Sequence, residues 1–379
     1  MFQPIKFGNE RDSGVLTTIH TADLHFGKLN PKIEYEILCE QMLEPLKKIH
    51  FDIFSIDGDI FHRKYMSNTE PVLYATLFIR KVVELCKMKQ ATLFIIDGTR
   101  EHDAGQLRLF YHYLEEEDID IRIVENISFE YVKGHKILCI PELCGIDESI
   151  YQKYLFHSGY YDMCFMHGTI KGAIYKDTVN QSRLFTIEDF SNCKGPIISG
   201  HVHTGGCFNS YFYYTGSPLR WKFGEEEEKG FLIVLYNTNT REHYTYLQKI
   251  KSFRYDTINL DELISSDPKD IIEHIDRLHE EGIDNIRIEF TKEIPTENLN
   301  ILKNYYRNKN HIKFKIPTER MKGITDTLNG YDDELYQKYS YLYDNSLDEY
   351  EKLARFINAN ETDVFLTGEQ LKNILDDID

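Results

Sequence analysis

Near the start of the chain, an apolar β-branched run, a loop carrying carboxylate and imidazole groups, and a helical stretch follow one another three times. Leu16-Thr17-Thr18-Ile19-His20-Thr21-Ala22 runs into Asp23-Leu24-His25-Phe26-Gly27. Phe51-Asp52-Ile53-Phe54-Ser55-Ile56 runs into Asp57-Gly58-Asp59-Ile60-Phe61-His62. Ala91-Thr92-Leu93-Phe94-Ile95-Ile96 runs into Asp97-Gly98-Thr99-Arg100-Glu101-His102-Asp103. Residues 31–48, 70–88 and 105–117 carry helical periodicity, with Pro45 expected to kink or shorten the first. This alternation predicts a parallel sheet with helices on its faces. In such sheets ligands bind beyond the carboxyl ends of the strands, where all three polar loops fall.

Strand-like runs continue at 121–124, 127–132 and 136–141, the last two forming a hairpin-like pair. Tyr161-Asp162-Met163-Cys164-Phe165-Met166 ends at His167-Gly168, and Ile197-Ile198-Ser199 ends at Gly200-His201-Val202-His203. Two histidines at i and i+2 past a strand can aim at one point, and glycine lets the backbone turn close to it. Late strands are expected at 211–214 and 230–235. From about residue 250 the pattern becomes strand, helix, strand, helix, strand, with Asp267-Pro268 as a helix start. Two capping-box sequences follow, Ser346-Leu347-Asp348-Glu349 and Thr367-Gly368-Glu369-Gln370. They predict a helical hairpin, either packed on its own domain or docking a partner helix. The expected division is residues 1–250, 251–320 and 330–379.

At 379 residues there is room for more than one core. No apolar run approaches the ~20 residues of a membrane span, and the amino terminus has no apolar secretory core. Seven scattered cysteines with no C-x-x-C pair read as reduced, buried thiols of a cytosolic protein. The net charge of −18 argues against a free-standing DNA binder held by phosphate neutralisation alone. It does not exclude a nuclease, because divalent cations add local positive charge and a basic partner can supply a groove.

The polar groups of these loops are Asp23, His25, Asp59, His62, Glu101, His102, His167, His201 and His203. The set contains no thiolate, which suits manganese, iron, magnesium or zinc in mixed nitrogen–oxygen sites. There are too many ligands for one ion, and a carboxylate can bridge two. The order Asp-x-His, Gly-Asp-x-Phe-His, a His-Asp loop, His-Gly and Gly-His-x-His resembles that of the calcineurin-like metallophosphoesterases. Gly58-Asp59-Ile60-Phe61-His62 narrows the likeness. So does Thr215-Gly216-Ser217-Pro218-Leu219-Arg220-Trp221-Lys222-Phe223-Gly224-Glu225, followed by Lys229-Gly230-Phe231. The chain is in this similar to the SbcD-type DNA double-strand-break-repair nucleases, phage recombination versions included. By motif the resemblance covers about residues 15–240, and beyond that it is one of layout.

The resemblance implies an α/β (α+β) sandwich, a four-layer metallophosphoesterase core with a small α/β capping domain and a C-terminal helical hairpin. It implies a manganese-dependent DNA exonuclease or endonuclease, with magnesium as the second choice of ion. Such a protein is the catalytic subunit of an SbcCD-type complex in repair and recombination, in the cytoplasm. Its hairpin binds the coiled coil of an SbcC-type, SMC-like ATPase, and the subunit forms a homodimer. The alternative is a metallophosphoesterase that acts on nucleotides or other phosphoesters without DNA. Asp23, His25 and His203 would hold the first ion, Asp59 would bridge, and His167 and His201 would hold the second. His102 would sit by the scissile phosphate with His62 in support. The family has Gly-Asn-His-Asp in the third loop, and this chain has Glu101 before His102-Asp103 in a loop longer by two. Glu101 is expected to take the asparagine's place on the second ion; otherwise it points away, and Thr99 or water fills the place.

Overall fold

The computed structural model describes residues 14–103, 105–142, 148–171, 184–260, 267–289, 296–307, 309, 311–315, 348–360, 367 and 369–372. The chain divides into two compact units, one of Met1–Thr257 with His274–Ile286, the other of Ile258–Glu273 with Arg287–Asp379.

The first unit is an α/β sandwich. Its first strands are β1 (Val15–Thr21), β2 (Ile53–Asp57), β3 (Thr92–Ile96) and β4 (Ile121–Val124). Next come β5 (Ser128–Val132), β6 (His135–Ile140), β7 (Met163–His167), the short β8 (Thr169–Ile170) and β9 (Leu184–Phe185), and β10 (Ile197–Gly200). β11 (Gly206–Cys207), β12 (Phe212–Tyr214), β13 (Gly230–Asn237) and β14 (His243–Lys249) complete it. One six-stranded sheet has the order β14-β13-β1-β2-β3-β4, the other β11-β12-β10-β7-β6-β5. β1 to β4 pair in parallel, as do β6, β7, β10 and β12, while β13 and β14 close the first sheet antiparallel. The expected hairpin of β5 and β6 is antiparallel.

Side chains alternate across each strand and so build separate layers. Phe94 and Ile96 of β3 point between the sheets, against Ile137, Cys139, Met163, Phe165 and Ile198. Their neighbours Leu93 and Ile95 face outward, in a cluster with Leu46, Phe78 and Val82. Across the other sheet Leu138, Cys164 and Met166 face outward toward Tyr151, Leu155 and Phe190. The result is helix, sheet, sheet, helix. Burial on both faces is why β2 and β3 read as unbroken apolar runs. Phe165 meets Phe94 edge-on at 5.6 Å between the two sheets. Phe165→Ala is expected to cost about 3–5 kcal/mol, as a cavity in a close-packed core does; urea unfolding measures it.

Two helices differ from expectation for clear reasons. After the helix Pro31–Leu38, the chain passes through a π turn at Cys39–Leu43 before Glu44–Leu46. Pro45 has no N–H and its ring crowds the carbonyl four residues back, so the preceding turn widens and Glu44 N–H reaches Cys39 O. The stretch expected as an α-helix at 105–117 is a 3-10 helix, Leu107–Glu115. Its buried residues Leu107, Phe110 and Tyr113 recur every three positions, which suits three residues per turn.

Past residue 250 the chain forms β15 (Tyr255–Asn259), β16 (Asn285–Glu289) and β17 (Ile312–Lys315), in the sheet order β15-β16-β17. The helices Pro268–Glu280 and Thr296–Tyr305 alternate with these strands, and Asp267 Oδ1 accepts Lys269 N–H as an N-cap. Near the end, Asp348 Oδ1 accepts Glu351 N–H at the start of the helix Glu349–Asn360. The Thr367 capping box is formed, with Thr367 N–H donating to Gln370 Oε1 and Gln370 N–H to Thr367 Oγ1. Ser346, Leu347 and the segment from 316 to 345 lie outside the described residues, as does 373–379 of the second expected helix. No helix among the described residues is long and apolar enough to cross a membrane. The described cysteines are free thiols, most of them buried or partly buried, with Cys207 exposed.

Candidate metal centre

Every loop that carries chemistry leaves the carboxyl end of a parallel strand. β1 delivers Asp23 and His25, β2 Asp59, and β3 Thr99. The other sheet delivers Glu142 after β6, His167 at the end of β7, and His201 and His203 after β10. The loops after β1 and β2 are zipped together by Asp23 N–H to Gly58 O, His25 N–H to Asp59 O and Phe26 N–H to Ile60 O, at 2.8–3.0 Å. Asp23, His25, Asp59 and His201 all have positive φ, of 53°, 47°, 56° and 81°. For residues other than glycine, such backbone costs roughly 1–3 kcal/mol each and persists only where the surroundings impose it. Gly58, at φ +92°, is needed twice over: a Cβ there would lie 2.1 Å from His167 Nδ1.

Two groups of donors converge. In the first, Asp23 Oδ1 lies 3.9 Å from His25 Nε2 and 3.6 Å from His203 Nε2. In the second, Glu142 Oε2 lies 2.9 Å from His201 Nδ1 and 3.5 Å from His167 Nε2. Asp59 stands between them, with Oδ2 3.8 Å from His25 Nε2 and 3.4 Å from His167 Nε2. His167 is oriented by donating from Nδ1 to Asp57 O at 2.7 Å. His102 Nδ1–H donates to His62 O, and its Nε2 is 4.0 Å from Asp59 Oδ2. The His62 ring stacks on His102 at 5.9 Å.

The surroundings set the charge states. Burial, with Asp59 nearby, raises the Asp23 carboxyl to about 7. Burial holds His25 well below its usual range and His203 at about 3, so both are neutral with lone pairs to offer. Burial opposes ionisation of Asp59, but the His167 charge and hydrogen bond outweigh it and hold the carboxyl well below its ordinary value. Glu142 is likewise held low, against its burial, by His201 and His167. Asp103, raised by burial and by Asp59, accepts Ile60 N–H and Phe61 N–H at 3.1 Å each and so pins the Asp59 loop.

The motif from Thr215 onward braces His203 from behind. Lys229 Nζ, almost fully buried, donates to His203 O at 2.9 Å and Ser217 Oγ at 3.0 Å. Glu225 Oε2 accepts Trp221 N–H at 2.8 Å, and Glu225 Oε1 faces His203 Nδ1 at 4.0 Å.

These residues fit divalent cations. Asp23 Oδ1 is buried without a hydrogen-bond partner and is flanked by two neutral imidazoles. A buried carboxylate oxygen left in that state is costly until a cation or donor satisfies it. Four overlapping groups in this region bring donor atoms within 4.8 Å of one another: His25, His62 and His102; Asp23, His25 and His203; Glu142, His167 and His201; Asp23, Asp59 and His167. Donors are oxygen and nitrogen throughout, which does not single out one metal. Of the residues expected from the sequence, Glu101 alone does not join: its side chain is exposed. Thr99 O accepts both His102 N–H and Asp103 N–H, a tight turn that carries 100 and 101 outward. Thr99 instead donates to Asp59, from N–H at 2.6 Å and from Oγ1 at 3.1 Å. Glu142 was not anticipated. Its only sequence signal is a carboxylate following Pro141 at the end of an apolar run, the same rule that marked the other loops.

An α/β sandwich bearing adjoining carboxylate–imidazole groups at one strand edge defines a candidate two-cation centre. No family model matches the chain. It is 25% identical over 231 residues to "Putative phosphoesterase 244L" of Invertebrate iridescent virus 6, spanning 57% of this chain and 74% of the relative. Among solved structures, a cold-active protein-tyrosine phosphatase of a psychrophilic Shewanella species is 12% identical with a TM-score of 0.28. That match covers 61% of this chain and 80% of the other, and so slight a likeness bears on nothing here.

Proposed function

We propose that the chain is a metal-dependent phosphodiesterase and, more narrowly, an SbcD-type DNA nuclease that works beside a coiled-coil ATPase. The observation that carries the hydrolase reading is Asp59, a buried carboxylate facing both the His25–His203 group and the His167 group. Similarity to a viral protein named as a phosphoesterase agrees with it. In this reading Asp23, His25 and His203 would hold one cation, His167 and His201 would hold the other, and Asp59 would serve both. Two bound divalent cations, manganese by preference, supply an activated water and charge for the leaving oxygen. The chain's own part is to hold these donors rigidly and to place His102. With Nδ1–H committed to His62 O, His102 presents Nε2 toward the site; in its doubly protonated form it would give the Nε2 proton to the departing oxygen and keep Nδ1–H.

The narrower reading rests on the Gly58 to His62 and Thr215 to Glu225 motifs and on the strand–helix alternation past 250. With a net charge of −18, DNA affinity falls to the ATPase partner or to a second copy of the chain, in the cytosol. Linear duplex DNA and bis(p-nitrophenyl) phosphate, each with Mn²⁺, separate the readings. Both are expected to be cleaved, DNA slowly by the isolated chain. Hydrolysis of the small diester with DNA left intact, ATPase present, would favour the DNA-independent phosphoesterase.

A further inference from the structure

We infer that Glu142 is a ligand of the second cation, filling with a carboxylate the position that Glu101 leaves. The inference rests on the two-cation reading above. Three donors surround a common point: Glu142 Oε2, His201 Nδ1 and His167 Nε2 are separated by 2.9, 3.3 and 3.5 Å. Ligands bound at about 2.0–2.2 Å to one ion lie roughly 3.0–3.5 Å apart when adjacent, so the three need almost no movement to share it. Asp59 Oδ2, 3.4 Å from His167 Nε2, adds a fourth donor.

The position of Glu142 is built, not incidental. Its side chain is 3% exposed, and its N–H donates to Asp97 O at 3.2 Å, tying the end of β6 to the end of β3 on the other sheet. The oxygen that faces the imidazoles has one further neighbour, Thr99 Oγ1 at 3.2 Å. Thr99 is the weaker candidate: its hydroxyl is neutral and lies as close to Asp59 Oδ2. A carboxylate brings charge to a hard divalent cation, which a hydroxyl does not. Two carboxylates and two imidazoles then serve the second ion, and the added negative charge favours tight retention.

Mn²⁺ binding to the metal-stripped full chain, followed by electron paramagnetic resonance and calorimetry, tests this without any assay of turnover. Wild type is expected to bind two ions, and Glu142→Gln one with unchanged affinity and the other at least tenfold more weakly. The melting temperature of the metal-free variant reads the lost contacts with His201 and His167 separately, and a purely structural ion pair would show itself there alone and leave the Mn²⁺ titration unmoved. Glu142→Asp, which keeps the charge on a shorter arm, is expected to be intermediate. Two ions bound with wild-type affinity by both variants would overturn the assignment alone. Fewer than two ions on wild type would remove the two-cation reading and the assignment with it.

Discussion

Replacing Asp59 with asparagine is expected to lower Mn²⁺-dependent phosphodiester hydrolysis by about a thousandfold or more, or roughly 4 kcal/mol in the barrier. The side chain stands between the two groups, so its charge would be missing from both cations of the proposed centre at once. The fold is expected to survive. Asp59 raises the carboxyls of Asp23 and Asp103 through like-charge repulsion, which neutral asparagine relieves. Against this stand the lost charge contact with His167 and one lost acceptor for Thr99, so the metal-free variant is expected to stay folded with a melting temperature near that of wild type. Rates on bis(p-nitrophenyl) phosphate beside melting curves in chelator read both quantities. A variant within tenfold of wild-type rate would end the case for a shared carboxylate.

Metal removal is the second large effect. The sandwich forms its own core without ions, but Asp23 Oδ1 at its edge is buried without a hydrogen-bond partner, which a bound cation would supply. Chelator is expected to abolish hydrolysis while leaving the circular dichroism of the folded chain in place, and Mn²⁺ to restore activity. Free Mn²⁺ at a hundred times its dissociation constant adds about 2.7 kcal/mol per ion, enough to raise the melting temperature by several degrees. Asp23→Asn should remove a large part of that rise. A melting curve indifferent to Mn²⁺ in wild type would contradict the centre as described.

What the sequence made legible follows from how each element is buried. β2 and β3 are covered on both faces and carry continuous apolar runs, so their ends, and the loops beyond, were placed closely. β14 was invisible because it is an edge strand with Tyr244 and Tyr246 exposed, stabilised by its pairing with β13 rather than by apolar burial of its own. The π turn was half legible, since Pro45 announces a disturbance but not which way the ladder adjusts. At the site, histidines next to glycines stood out and Glu142 did not, because one glutamate after a strand is ordinary in a chain this acidic. Glu101 shows the opposite limit. Chain order put it beside His102, but the turn closed on Thr99 O decides which way a side chain leaves the backbone, and spacing does not encode that.

The two donor groups draw on both sheets: Asp23, His25 and Asp59 from one, Glu142, His167, His201 and His203 from the other. Distances across the centre are therefore distances between sheets, and the gauge that sets them is the layer of Phe94, Ile137, Met163, Phe165 and Ile198. Thinning that layer lets one sheet slide by a fraction of an ångström, which packed interiors transmit rather than absorb. If the proposed phosphodiester hydrolysis holds, Phe165→Ala is expected to lower turnover per folded molecule at temperatures where the chain is still folded, with none of the candidate metal-holding residues changed.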